Sequence, residues 1–345
     1  MDPQNTERYS RQILFAGLGH EGQEKLLSSS AVLIGCGALG AFTANLLVRA
    51  GLGRLRIIDR DFVEPSNLQR QTLFDEQDAR EALPKAAAAE RRLRAINSGV
   101  AVEGIVGDLS PKNAPELLAG FPLILDGTDN FETRLLINDV SIALNTPWIY
   151  ASAVGSYGVT MPVRPGVTPC LACLLESGES VASTGAEETC ETAGILNSAA
   201  AVIASLQSTA AIKFLAGKSD LAVSLLVSCD VWAGRFQSIR VSRNPECRAC
   251  VLRQWTYLEG QVQPHITMCG RDSVQIHERS RCLDLGTLGR RLSTSSVTSL
   301  RANEFLLRFS VAPYEMTVFA DGRAIVKGTK DPAVARSLYA RYIGS

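Results

Sequence analysis

The sequence predicts an α/β protein: a doubly wound, Rossmann-like and mostly parallel sheet carrying a structural zinc site, followed by a small C-terminal α+β domain. Three observations predict it. Strand-like runs of β-branched and apolar residues alternate with helix-like segments as far as Gly155, the pattern of a parallel sheet with helices on its faces. Gly35, Gly37 and Gly40 stand in G-x-G-x-x-G spacing between one such strand and the helix after it. Cys170 with Cys173 and Cys247 with Cys250 form two C-x-x-C pairs.

Taken in order, residues 7–30 read as a helical N-terminal segment, with Ile13, Leu14 and Phe15 in one turn and Leu26 and Leu27 further on. A strand follows at residues 32–34, then the glycine loop, then a helix from about 39 to 51. "RLRIIDRD" is a second strand ending in acidic residues, and the Ala-rich run Lys85–Ile96 is a strong helix. "VAVEGIV" and "FPLILDGTDN" supply a third and a fourth strand, which puts Asp126 and Asp129 at or just past a strand end. "RLLINDVSIALN" has helical spacing, and "PWIYASAVG" is another strand. The apolar "AAAVIASLQSTAAIKFLAG" is interrupted by Gln207 and Lys213, so it reads as a buried or amphipathic helix rather than a membrane span.

Near residue 260 the pattern changes, dividing the chain into a domain of residues 1–258 and a smaller one of 259–345. The latter holds "FLLRFSV", then "YEMTVFADGRAIVKG" with Asp321-Gly322 as a two-residue hairpin turn, then a helix in "DPAVARSLYARYIG". "GTLGRRLSTSSVTS" is polar enough to predict a mobile connection. This domain would either help recruit a substrate protein or serve as a stabilising cap.

At 345 residues and 46% hydrophobic the chain can bury a large core. Lys+Arg and Asp+Glu are 35 each, so no bulk attraction to nucleic acid or to an anionic membrane is expected. The N-terminal "MDPQNTERYS" lacks a secretory pattern, which predicts a cytoplasmic protein. Nine cysteines then point to metal ligation or reactive thiols rather than to a disulfide framework.

The glycine loop is a phosphate-binding arrangement. Glycines permit a tight turn and close backbone approach, the helix N-terminus favours negative charge, and Asp59, at the end of the next strand, can accept hydrogen bonds from ribose hydroxyls. Alone, the loop reads as an NAD site. The residues after Asp59 change that reading. Asn67, Gln69, Arg70 and Gln71 come directly after the second strand, more hydrogen-bonding capacity than one ribose needs. Arg70 can meet a triphosphate, and Lys85, after Pro84 at a helix start, is a second phosphate contact. Asp129 and Asn130 offer oxygens for magnesium, which takes one or two carboxylates together with substrate phosphates.

"RYSRQILFAGLG", "GCGALG", "DRDFVEPSNLQRQ", "DGTDNFETR" and the later cysteine pairs resemble the MoeB/ThiF adenylyltransferases, relatives of the ubiquitin-activating enzymes. The resemblance covers roughly residues 7–253. It implies an ATP site: Gly35, Gly37, Ala38 and Gly40 around the phosphates, Asp59 on the ribose, Asn67, Arg70 and Lys85 toward the phosphates, Ser66 and Gln69 as further nucleotide-binding residues, and Asp129, beside Asn130, on magnesium. Arg11 matches an arginine that in this family reaches the neighbouring subunit's site, which implies a homodimer. The implied reaction is adenylation of the C-terminal glycine carboxylate of a small ubiquitin-like sulfur carrier protein, with a separate protein as sulfur donor.

Three alternatives stand beside that reading. The same fold can adenylate another carboxylate, on a modified tRNA base, a peptide or a conjugated modifier. A nicotinamide-dependent oxidoreductase, or a non-catalytic scaffold, would not need Arg70, Lys85 and Asp129 together.

Cys170, Cys173, Cys247 and Cys250 make a full set of four thiolates for tetrahedral zinc, clipping distant segments together. Cys190, in "EETCETAG", resembles a cysteine of the family's flexible loop that in some members forms a thioester or acyl-persulfide with the carrier. The chain departs from the family just after it, with Asn197-Ser198 where relatives have Gly-Pro.

Overall fold

The computed structural model describes residues 3–176, 193–221, 223–260, 273–277, 283–294 and 297–344. The chain divides into two compact units, residues 1–262 and 263–345. In the first, the elements run α1 (Pro3–Arg8), α2 (Ser10–Ile13), α3 (Gly19–Leu27), β1 (Ser30–Ile34), α4 (Ala38–Ala50), β2 (Arg54–Asp59), α5 (Glu76–Arg80), α6 (Lys85–Ile96), β3 (Ala101–Val106), α7 (Ala114–Leu118), β4 (Ile124–Asp126) and α8 (Phe131–Leu144). They continue through β5 (Trp148–Val154), β6 (Tyr157–Val163), α9 (Leu171–Glu176), α10 (Asn197–Leu215), β7 (Leu225–Asp230) and β8 (Arg235–Arg240).

The strands form one sheet in the order β3-β2-β1-β4-β5-β6-β7-β8. Neighbours from β3 to β5 are parallel, and β6, β7 and β8 extend the sheet antiparallel. From β1 the chain steps outward to β3 on one side, then returns to place β4 on the other. That reversal opens a crevice at the carboxyl ends of β1 and β4.

Residues 31–34 of β1 are buried without alternation, as a central strand covered on both faces must be. Leu33 joins Leu47, Leu55 and Leu93 in the core under α4 and α6. Val32 joins Ile58, Ile124, Ile137 and Trp148 in the core under α8. Among the described residues α10 is the one helix long and apolar enough to cross a membrane. It packs instead against α4, β5 and β6, and its buried Gln207 saturates three groups at once. The amide nitrogen donates to Asp126 O at 2.8 Å and Ile149 O at 3.0 Å, while the oxygen accepts from Thr43 Oγ1 at 2.8 Å.

The helix predicted over Lys85–Ile96 has those bounds. Two expectations are refined: the N-terminal segment is three short helices, and the fourth strand spans only three residues before the chain turns at Gly127. β6, β7 and β8 were not anticipated; β8 is nearly all exposed and lacks the apolar run that marks a buried strand.

The second unit comprises β9 (Ser273–His277), α11 (Leu285–Ser293), β10 (Thr298–Ala302), β11 (Leu306–Val311), β12 (Tyr314–Phe319), β13 (Arg323–Lys327) and α12 (Pro332–Tyr342). Its strands form an antiparallel sheet in the order β10-β11-β12-β13-β9. Val274, Phe309, Met316 and Val326 share a core with Leu288, Leu292 and Tyr339 of the two helices.

Two expectations are corrected here. The stretch read as a mobile connection is mostly α11 and β10. Leu285, Leu288 and Leu292 recur at helical spacing and are buried, and Asp284 caps the helix by accepting the Gly286 and Thr287 N–H groups. The Asp321-Gly322 hairpin is longer than two residues, since the last strand pair is Val318 with Ala324. Gly322, at φ 84°, closes the turn by donating to Phe319 O at 3.1 Å, and Asp321 instead accepts from Arg323.

Candidate active site

The glycine loop is fixed by contacts that tolerate no side chain. A Cβ on Gly40 would lie 2.0 Å from Gly35 O, and one on Gly35, itself at φ 84°, would lie 2.6 Å from Gly127 O. The loop therefore packs backbone to backbone against the turn leaving β4. Gly37 precedes Ala38, the first residue of α4, whose free N–H groups face the crevice end of the sheet.

Asp59 ties the end of β2 to that loop. Its Oδ2 accepts the Cys36 N–H at 2.6 Å and its Oδ1 accepts the Asp61 N–H at 2.7 Å. Burial, aided by Asp61, pushes its carboxyl above the usual range, and Lys85 and the two N–H groups oppose that. Lys85 is the first residue of α6 and is buried, with Nζ 3.2 Å from Asp61 Oδ2. An isolated bridge between Phe62 and Pro84 and the Lys85 N–H to Asp61 O bond, at 2.8 Å, seat this helix start beside the β2 end.

The segment after β2 is a capped turn. A 3-10 turn at Pro65–Asn67 is closed reciprocally by Glu64 and Asn67, with the Asn67 oxygen accepting the Glu64 N–H at 3.0 Å. Asn67 is buried, so its oxygen serves the loop itself; Ser66 and Gln69 are exposed. Arg70 is half-buried and donates to Ser66 O at 2.8 Å. Gln71 Nε2 lies 3.9 Å from where a Gly37 Cβ would stand, and its buried Oε1 has no hydrogen-bond partner. The turn is thereby brought against the glycine loop, with an unfilled acceptor beside it.

On the other side of the crevice, Asp129 is exposed and Asn130 caps α8 by accepting the Thr133 N–H at 2.8 Å. Asp129 is near enough to Arg60 and Arg134 to support their charge, after the larger contribution of Asp108 to Arg60 and of Asp126 to Arg134. Asp129 belongs to no cluster of three or more metal-ligating side chains among the described residues. One exposed carboxylate suits a magnesium ion that arrives with phosphate oxygens.

Beneath it lies a pair that sequence reasoning missed. Asp126 and Arg134 are both buried, with Nε 3.2 Å from Oδ2. Arg134 also donates to Thr128 O at 2.6 Å, and Asp126 accepts the Thr128 N–H and hydroxyl at 2.9 and 2.7 Å. Burial raises the Asp126 carboxyl, and Arg134 and Thr128 counter it. The pair holds the turn over residues 126–130. An Asp and an Arg eight residues apart, at a strand end and on the following helix, are the signal that could have found it.

Arg11 is not brought to this site. Gln12, its neighbour, donates to Ala50 O at 2.9 Å, at the opposite end of α4 from the glycine loop. Thirteen helical residues separate those ends, about 20 Å at 1.5 Å per residue. Arg11 is exposed, and beside it Leu14 and Phe15 are 73% and 68% exposed. Cys190 lies outside the described residues.

The four paired cysteines converge. Their sulfurs all lie within 4.8 Å of one another, with Cys170 3.9 Å from Cys173 and 3.6 Å from Cys247, and Cys173 3.5 Å from Cys250. Tetrahedral zinc with Zn–S near 2.3 Å places sulfurs about 3.8 Å apart, so the set fits that ion.

A model of the ThiF family matches residues 9–249. The sulfur carrier protein ThiS adenylyltransferase of Bacillus subtilis (strain 168) is 44% identical over 344 residues, spanning 98% of this chain and 100% of that protein. The sulfur carrier protein ThiS adenylyltransferase of Escherichia coli (strain K12) is 36% identical over 251 residues, 72% of this chain and 97% of the relative. Among solved structures, that of E. coli MccB with ATP superposes with a TM-score of 0.62 at 25% identity, covering 70% of this chain and 74% of that one.

Proposed function

The chain belongs to the ThiF family, and from that premise we propose that it uses ATP to adenylate the C-terminal glycine carboxylate of a small ubiquitin-like sulfur carrier protein, releasing pyrophosphate. The observation that carries the reading is the single sheet end that gathers a glycine loop, a buried lysine and an acidic turn. The full-length alignment with a ThiS adenylyltransferase supports the carrier as substrate.

In this reading residues 1–258 hold the nucleotide and residues 259–345 form a smaller accessory domain. Gly35, Gly37, Ala38 and Gly40 offer backbone N–H groups and close approach to the phosphates, and Asp59 faces the ribose. The attacking carboxylate is already ionised at neutral pH, so no general base is needed. The obstacle is the meeting of two anions, which preorganised positive charge relieves. Lys85 supplies such a charge by exchanging Asp61 for phosphate, and Arg70 by turning from Ser66 O to the nucleotide. Gln71, whose amide nitrogen lies beside Gly37, would donate to the same ligand. Magnesium, held by Asp129, would neutralise phosphate charge.

Arg11 completes the site from a second copy of the chain. The length of α4 keeps it from its own glycine loop, and the exposed Leu14 and Phe15 give that end an apolar surface for a partner. Tyr157, Trp232 and Phe236, 41%, 83% and 61% exposed, lie where β6, β7 and β8 meet at the nucleotide end of the sheet, and would receive the carrier. Sulfur from a separate donor protein in the cytoplasm would then attack the adenylate's carbonyl carbon, breaking the acyl–phosphate bond and releasing AMP. Cys190 would be the thiol that links to the carrier.

The test is ATP–pyrophosphate exchange with purified carrier. Exchange that requires the carrier and disappears when its last glycine is removed supports the reading. Equal exchange with the truncated carrier, or hydride transfer to NAD without exchange, overturns it.

A further inference from the structure

The two halves of the cysteine cluster are 77 residues apart in sequence, yet two adjacent residues of α8 reach both. Asn138, fully buried, accepts the Leu171 N–H at 2.9 Å, and Leu171 opens α9 between Cys170 and Cys173. Asp139, also fully buried, faces Arg248 Nη1 at 3.3 and 3.4 Å and accepts the Tyr257 N–H at 3.0 Å. Arg248 lies between Cys247 and Cys250, donates to Gln254 O at 3.0 Å, and stacks 5.1 Å from the Tyr257 ring centre. One peptide step of a rigid helix thus sets where each half stands.

We propose that Asn138 and Asp139 are positioning residues for the metal clip: by referring both C-x-x-C pairs to one helical step, they hold four sulfurs at zinc spacing and determine how tightly the ion is kept. Neither is needed as a ligand, since the four cysteines already make a full tetrahedral set. Four thiolates on a divalent ion leave a net charge of −2, so cations beside the second pair are favoured. Arg243, which donates to Cys250 O at 3.0 Å, supplies one, while the Arg248 charge is met by Asp139. Asp139 matters because it aims Arg248, and with it the strand of chain joining Cys247 to Cys250. Groups that orient metal ligands in this way change metal affinity by roughly 10- to 100-fold when removed.

The experiment measures zinc release from the intact holoprotein to the chromophoric chelator 4-(2-pyridylazo)resorcinol, followed by absorbance. Asp139→Asn and Arg248→Met are each expected to speed release by about 10-fold or more, and the double variant to be no faster than the quicker single, because both act through one contact. Asn138→Leu, acting on the other half, adds its own acceleration. Leu47→Ala, in the remote core under α4, lowers stability but leaves the release rate unchanged. Release from Asp139→Asn within twofold of the parent, or acceleration by Leu47→Ala equal to that by Asp139→Asn, overturns the proposal. Should Asp139→Asn fail to fold, the Arg248→Met rate decides by the same thresholds.

Discussion

Lys85 is held by Asp61: its ammonium lies 3.2 Å from Oδ2 with only 5% of the side chain exposed. A buried charge needs a partner at every stage, because an unpaired ammonium away from water costs several kcal/mol. Asp61 fills that role without nucleotide, and a phosphate would fill it with one. The lysine is therefore placed before any ligand arrives, and the α6 start that carries it is anchored through the same aspartate's backbone.

Lys85→Ala is expected to lower the pyrophosphate-exchange rate by about 100-fold or more, as loss of a transition-state contact does. Asp61→Asn is expected to cost far less and to act mainly through lysine placement. Steady-state exchange on both variants checks the order, which would be reversed if Asp61 were the principal catalytic group.

Gly40→Ala places a methyl 2.0 Å from Gly35 O, and neither backbone can yield without moving the turn at Gly127. Overpacking of this kind costs about 1–3 kcal/mol. A lower melting temperature should accompany weaker ATP binding by calorimetry, since the strained segment is also the proposed phosphate loop.

Arg134→Met leaves the Asp126 carboxyl buried without its counter-ion. Removing one member of such a pair costs about 3–5 kcal/mol. Urea unfolding of the first unit should report that loss, and Arg134→Lys should recover only part of it, because a single ammonium nitrogen does not reproduce the fixed fork in which Nε meets Asp126 and Nη2 meets Thr128 O.

Glu103 accepts from Arg56 and Arg54, and these bonds hold its carboxyl below the ordinary 4.5. A depressed folded value means the ionised form is favoured in the fold. Its stabilisation is complete above about 4.5 and is lost as pH falls through the folded value. The melting-temperature gap between the parent and Glu103→Gln should therefore be open at pH 7 and close in acid. A gap that widens in acid would reverse the sign.

Local signals carried much of the fold. The glycine spacing, the Ala-rich run over Lys85–Ile96 and the two C-x-x-C pairs are short-range patterns, and each fixes its own geometry. Pairings across the chain are another matter. Asp61 and Lys85 are 24 residues apart, and nothing in "DRD" says which acidic group turns toward the helix. Gln207 marks α10 as a buried or amphipathic helix in the sequence, but its role as the donor that joins β4 to β5 is set by where α10 docks. α11 was obscured because its polar residues outnumber the three leucines that bury it, so composition concealed a periodicity.

The separation of Arg11 from its own glycine loop along α4 has a kinetic meaning. In the proposed pair of chains, each chain contributes part of two sites and the whole of neither, so the catalytic unit is a bimolecular species. Rate per chain is then not a constant of the molecule: once the protein is diluted below the point at which half the pairs separate, specific activity falls in proportion to concentration. The cell could thus turn activation of the carrier down by lowering the number of copies, with no inhibitor and no modification.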